Sequence, residues 1–110
     1  MDAVIGQTAR FDHVVGDADS AHTLGNPGIH VLATPRLADF CDRAAAAAAG
    51  EISTAPMRVD IRHLAATPVG GTIEIVAELV AIEGRRLVFR VTGRDSAREI
   101  VSGRVDRVTP

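Results

Sequence analysis

The sequence predicts an α+β domain in which one alanine-rich helix lies against a mainly antiparallel, five-stranded sheet. A run of six alanines, Ala44 to Ala49, marks the helix, alanine having the highest helix propensity. Strand-like stretches joined by short turns follow it, and short turns allow only antiparallel neighbours, because parallel pairs need long crossovers. One helix set on such a sheet is a two-layer arrangement. The 110 residues are expected to form one domain, 1–110, with 46% apolar residues to fill its core. Only three aromatics contribute, Phe11, Phe40 and Phe89, so Val, Ile, Leu and Ala must build the rest.

Thr8 to Val15 reads as the first strand, with Phe11 and Val15 as apolar positions. Gly16 to Gly28, rich in Gly, Asp, Ser, Asn and Pro, reads as a long loop, and Ile29 to Ala33 as a short apolar lead-in. Thr34-Pro35 then gives a helix start, with a hydroxyl at the N-cap and proline at the first helical position. The helix continues through Leu37, Phe40, Cys41 and the alanine run, and Gly50 stops it. Small alanine side chains let the sheet approach closely. Strands follow at Thr54–Ala65, Thr72–Ile82, Arg86–Thr92 and Glu99–Val108. Glu83-Gly84-Arg85 and Gly93-Arg94-Asp95-Ser96 are the hairpin signals, and Val69-Gly70-Gly71 breaks the chain between the first two of these strands.

The strand after the helix carries the strongest chemical signal. Met57, Val59, Ile61 and His63 share one parity, and Arg58, Asp60 and Arg62 the other. With a side-chain period of two, the first set faces the core and takes His63 with it. An inward imidazole is either a hydrogen-bonded core group or a group that handles protons. On the helix, Asp39 has Arg43 four residues on, a solvated pair. Asp42 has no cation at these offsets and borders the stripe of Leu37, Phe40, Cys41 and Ala44. Its carboxylate needs a partner from elsewhere, or its pKa rises.

Several classes are excluded. With 12 basic against 14 acidic residues the net charge is −2, and no basic patch interleaves with aromatics, so nucleic acid is not expected as partner. No apolar stretch reaches the ~18 residues that span a bilayer. The N-terminus lacks the basic-then-apolar order of a signal peptide. The single Cys41 allows no internal disulfide and reads as a small buried hydrophobe. His13, His22 and His30 have no metal-ligand spacing and read as surface or loop residues, so no metal site is expected. Gly70-Gly71 reads as a turn. Arg85, Arg86 and Arg94 are hairpin arginines, ordinarily solvated and otherwise suited to the phosphates of a CoA-like group. A cytoplasmic protein without cofactor is expected.

Three segments together resemble a known family: Val31-Leu32-Ala33-Thr34-Pro35, an acidic residue eight positions after the threonine, and Ile61-Arg62-His63-Leu64-Ala65-Ala66-Thr67-Pro68-Val69-Gly70. They are similar to the fluoroacetyl-CoA thioesterase family. The hairpin from Gly84 to Val91 and the closing pattern around Gly103 and Asp106-Arg107 extend the similarity, which runs from about Ile29 onward. The resemblance implies a homodimeric hot-dog hydrolase that cleaves acyl thioesters without metal. It places the catalytic threonine at Thr34, the acid at Asp42 and the histidine at His63, with Gly28, Ala33, Pro35 and Pro56 around the substrate. A threonine at a helix N-terminus is set where the helix dipole polarises a thioester carbonyl, and the partner protomer's histidine is a candidate to meet Asp42.

Three departures from the family bear on specificity. Asp42 stands where the family has glutamate, a loss of roughly 1.5 Å of reach, and misplacing a catalytic group by about 1 Å costs on the order of a hundredfold in rate. The family's aromatic lid is here Gly25-Asn26-Pro27-Gly28, and Pro56 replaces a glycine. The resemblance therefore carries the acyl-thioester class, on CoA or on an acyl carrier protein, and not the fluoroacetyl specificity. Dehydration or cyclisation of a thioester-bound chain, and thioester binding without catalysis, remain the alternatives.

Overall fold

The computed structural model describes residues 3–110, so the first two positions of the expected 1–110 domain lie outside the described residues. The elements are β1 (Thr8–Val14), a 3-10 turn (Asp17–Asp19), α1 (Thr34–Ala48), β2 (Ala55–His63), β3 (Thr72–Glu83), β4 (Arg86–Arg94) and β5 (Glu99–Val108). They form a five-stranded sheet in the order β1-β3-β4-β5-β2. All four pairings are antiparallel. The expected α+β architecture is the one observed.

The helix buries Leu37, Phe40, Cys41, Ala44, Ala45 and Ala48, spaced by three and four residues as one helical face requires. Ile73, Ile75, Ala77 and Leu79 of β3, Phe89 and Val91 of β4, and Val101 and Val105 of β5 meet it from the sheet. Each large side chain buried there contributes on the order of 1.5–3 kcal/mol. Register shifts between Leu79 and Ala81 and between Pro56 and Arg58 interrupt the ladders, and such bulges increase the bend and twist of a strand. Gly50, at φ +67°, ends the helix as expected, a left-handed conformation that suits glycine. Gly103 answers a different need. A Cβ there would run into the backbone of Asp60 and Ile61 on β2, so only glycine lets β5 lie against this strand.

Two expectations need correction. Helix α1 begins at Thr34 with Ala33 as its N-cap, and Thr34 makes no side-chain cap bond. The Ala33 carbonyl instead accepts the N–H groups of Arg36 and Leu37, at 3.1 and 3.0 Å. Second, β2 is an edge strand whose inward parity is incompletely covered. Met57 is 51% and Val59 38% exposed, while Ile61 and His63 are half-buried. The alternation is right, but the helix does not reach the outer end of this face.

The segment before the helix is better tied than a loop reading suggests. Asp19 is 4% exposed. Its carboxylate accepts hydrogen bonds from Gly16 N, His13 Nε2 and Arg36 Nε at 3.0, 2.8 and 3.0 Å. His13 is thus no loop residue. It lies on β1 with its ring 4.4 Å from that of Phe40.

Candidate active site

The N-terminal turn of α1 and the last residue of β2 meet. Thr34 Oγ1 lies 2.8 Å from His63 Nδ1, although 29 residues separate them in the chain. Helix and strand each fix one member, and the further polar neighbour of His63 among the described residues is the Ala65 backbone. When the threonine hydroxyl donates to Nδ1, the ring proton sits on Nε2. That Nε2 is buried and has no partner among the described residues. Orphaned buried polar atoms cost about 1–3 kcal/mol, so Nε2 keeps an unused hydrogen-bonding capacity at this pair. Burial holds the His63 pKa below the ordinary imidazole value, with the Ala65 backbone opposing part of that effect. A base kept neutral at neutral pH is the consequence.

A cavity of about 360 Å³ opens on this pair, lined by Thr34, His63, Leu64, Ala65 and Ala66. Its walls are small or apolar apart from Thr34 and His63. The helix terminus adds its dipole. Its supply of free amides is narrower than the sequence suggests: Pro35 has no N–H, and the Arg36 N–H is bonded to Ala33. The Thr34 N–H is the one left in this turn without a main-chain partner among the described residues.

Asp42 lies elsewhere on the helix. Eight residues at ~1.5 Å each put it about 12 Å along the axis from Thr34. The partner it needs is Arg107 of β5, whose Nη1 donates to Asp42 Oδ1 at 2.7 Å. Arg107 also donates from Nε to Thr54 Oγ1 at 2.8 Å and from Nη2 to the Thr54 carbonyl at 3.1 Å. Its side chain is 8% exposed against 21% for Asp42. Asp42 Oδ2 takes no hydrogen bond from the described residues. The structure thus brings Thr34 and His63 together and sets Asp42 apart with Arg107. In the sequence Arg107 stands out only as part of a closing pattern, because its partner is 65 positions away.

Gly28, Ala33, Pro35 and Pro56 are not among the residues lining this cavity in the single chain. Gly28 N donates to His22 Nδ1 at 2.8 Å, Ala33 caps the helix, and Pro35 and Pro56 are exposed. Cys41 is buried, and burial pushes its thiol up to about 12, so it is a packing residue. Among the described residues no group of three His, Cys, Asp or Glu side chains is set to hold a metal ion. No helix there is long and apolar enough to cross a membrane.

Comparison with known proteins gives a consistent set. The family described as fluoroacetyl-CoA-specific thioesterase matches residues 15–109. The fluoroacetyl-CoA thioesterase of Streptantibioticus cattleyicolor is 45% identical over 58 residues, a stretch that covers 53% of this chain and 40% of that relative's length. A crystal structure of a variant of the fluoroacetyl-CoA-specific thioesterase, in complex with fluoroacetate and CoA, superposes with a TM-score of 0.89 at 28% identity. It covers 97% of this chain and 94% of that one. A thioesterase-superfamily protein from Thermus thermophilus superposes at 0.89 with 25% identity, over 97% and 83% of the two chains. A hot-dog-like protein from Thermanaerovibrio acidaminovorans, 16% identical over 96% of this chain and 82% of that one, shares the fold at a TM-score of 0.86.

Proposed function

The chain belongs to the fluoroacetyl-CoA-specific thioesterase family, and from that premise we propose that it hydrolyses acyl thioesters, with Thr34 and His63 as the reacting pair. The observation that carries this is the 2.8 Å contact between Thr34 Oγ1 and His63 Nδ1 at a helix N-terminus. A hydroxyl is a weak nucleophile until an adjacent base takes its proton, and an imidazole with a lowered pKa is such a base. In the first step Thr34 Oγ attacks the thioester carbonyl while its proton passes to His63. The C–S bond then breaks, and the thiolate leaves with the proton from His63. Water attacks the threonine ester, giving its proton to His63, and as the ester C–O bond breaks His63 returns that proton to Thr34 Oγ, so the acid leaves and the hydroxyl is restored. The developing oxyanion lies at the positive end of α1.

The second part of the proposal is a two-fold homodimer with composite sites. Edge strand β2 exposes Met57 and Val59, and an apolar, unpaired edge invites another chain. A second copy of β2 pairs it in the isologous way that a two-fold requires. The unoccupied Oδ2 of Asp42 and the orphaned Nε2 of His63 are the complementary groups that such a dimer brings together across the interface. Acyl-CoA is the favoured substrate class, in the cytoplasm, where thiols such as Cys41 stay reduced.

Thiol release across a panel of acyl-CoA and acyl carrier protein thioesters, with His63→Ala alongside, tests the reading. Release that falls by about 10²–10⁴ in the variant, with the fold kept, is expected. Tight binding with no release in the wild type would replace hydrolysis by a binding role, and an altered acyl product without free thiol would point to dehydration or cyclisation.

A further inference from the structure

Thr34 is held on both flanks by one residue of the segment before the helix. Asp19 ends the 3-10 turn, in a stretch that reads as loop in the sequence, yet it is 4% exposed. Its main-chain carbonyl accepts the N–H of Ala33, the residue before Thr34, at 2.9 Å. Its carboxylate Oδ1 accepts from Nε of Arg36, in the same first helical turn, at 3.0 Å. Ala33 is also the cap of α1 through its own carbonyl. The helix therefore starts from a peptide that Asp19 holds.

Asp19 is itself fixed. Gly16 N donates to Oδ2 at 3.0 Å, and Asp19 N donates to the Gly16 carbonyl at 3.0 Å. These two bonds close the turn and set the direction of the Asp19 carbonyl. His13 Nε2 meets Oδ2 at 2.8 Å. The Arg36 guanidinium carbon lies 5.0 Å from the centre of the Phe40 ring, and the His13 ring 4.4 Å from it, so β1, Asp19 and α1 close around one aromatic. Arg36 has a second, exposed carboxylate in Asp39, at 3.2 Å. Burial disfavours the charged Asp19 carboxylate, but Gly16, His13 and Arg36 together outweigh it and hold its pKa below the ordinary value. The other side of the lead-in is tied toward His63: Leu32 N donates at 2.8 Å to the carbonyl of Thr67, in the loop that continues from the histidine. The backbone carrying Thr34 is thus strapped between Asp19 and that loop.

Resting on the hydrolase reading above, we infer that Asp19 is a positioning residue for Thr34: by holding the chain before and after it, Asp19 sets the 2.8 Å approach of the hydroxyl to His63. Asp19 touches no reacting atom, so its effect is geometric. A shift of about 1 Å at Thr34 takes the pair beyond hydrogen-bond length. A misplacement of that size at a reacting group costs on the order of a hundredfold in rate. The cavity walls at Leu64, Ala65 and Ala66 are not held by Asp19. The loss therefore falls on kcat and spares KM.

Asp19→Asn keeps the shape and removes the charge. In thiol release on the same thioester panel, its kcat is expected to fall by about tenfold or more with KM within about twofold. Arg36→Gln breaks one of the two holds and leaves the turn closed, so it should lose about threefold or more. Asp39→Asn, which removes the other partner of Arg36, should match wild type. The nitrogen NMR resonance of His63 Nδ1 gives a reading without turnover. It should move in Asp19→Asn toward its position in Thr34→Ala, where the donor is gone. An Nδ1 resonance unchanged from wild type overturns the inference, as does a lower melting temperature with kcat per folded molecule unchanged. A loss in Asp39→Asn as large as in Arg36→Gln overturns it too. If Asp19→Asn does not fold, Arg36→Gln decides by the same two readings. Absence of thiol release in the wild type would sink the hydrolase reading alone, and the Nδ1 comparison would still decide what places Thr34.

Discussion

Helix α1 carries two polar sites that differ in completeness. At its N-terminus, Thr34 and His63 form a pair with one bond between them, an orphaned Nε2 and a cavity in front. Two turns on, Asp42 meets an arginine whose three donating groups are all used, on Asp42 and twice on Thr54. The first site is open and the second nearly closed. A closed network fixes structure, because each member is satisfied and loses by moving. An open one leaves binding capacity to a substrate or a second chain. The same helix therefore carries a nearly satisfied ion pair in its middle and an open hydroxyl–imidazole pair at its start.

The largest test of that difference is Thr34→Ala. Loss of the hydroxyl should lower thiol release by about 10²–10⁴. Stability should fall by no more than about 1 kcal/mol, the worth of the exposed hydrogen bond to His63, and Thr34→Ala in a His63→Ala background should cost only a few tenths if Thr34 is not a cap. Thr34→Ser should keep most activity.

Arg107→Ala should do the reverse. Removing it strands a partly buried carboxylate and frees Thr54, at a cost of roughly 3 kcal/mol, or a melting temperature lower by about 10–20 °C. Calorimetry reads this directly. An unchanged melting temperature would mean the pair is no anchor.

Asp42 decides whether the two sites are independent. If it serves the partner's His63, Asp42→Asn should lower activity by about tenfold or more in a still dimeric protein, beside a stability loss smaller than that of Arg107→Ala. Met57→Lys, placed on the exposed edge of β2, should yield monomers by sedimentation and lower activity with them. Asp42→Glu is the finer probe. A lower rate indicates geometry tuned to aspartate, and a higher rate on short acyl-CoAs indicates that this chain has drifted from hydrolysis. If neither Asp42 variant shifts activity by more than a few-fold, the second site is structural only.

The smallest expected effect is on pH dependence. With the His63 pKa lowered by burial, the base is neutral above its folded pKa. The acid limb of kcat/KM should therefore fall below the ordinary imidazole value of about 6.5, with activity lost as pH drops through it. The linkage has the same sign: the unfolded chain binds that proton more readily, so stability contributed by neutral His63 declines as pH falls below about 6.5. An acid limb above 6.5 would contradict a desolvated base.

The elements legible in the chain were those with local signals. Periodicity gave the helix and the parity of β2, Gly50 gave the helix end, and the family resemblance singled out Thr34 and His63, which the fold brings to 2.8 Å of one another. What escaped depended on distant partners. The Asp19 clamp on His13 and Arg36 turned an apparent loop histidine into a packed one, and nothing in the spacing of Asp42 pointed to Arg107.

The sequence by itself determined the α+β class and the antiparallel ladder, because short-range spacing dictates hydrogen bonding and facing, while Thr34 and His63 stand out as a pair only through the family resemblance. Tertiary structure decided the rest. It made Ala33 the cap and left the Thr34 hydroxyl for His63, put β2 at the edge, and gave Asp42 its cation. Each of these depends on which distant groups the folded chain brings within about 3 Å, a range at which hydrogen bonds form and which no local pattern encodes.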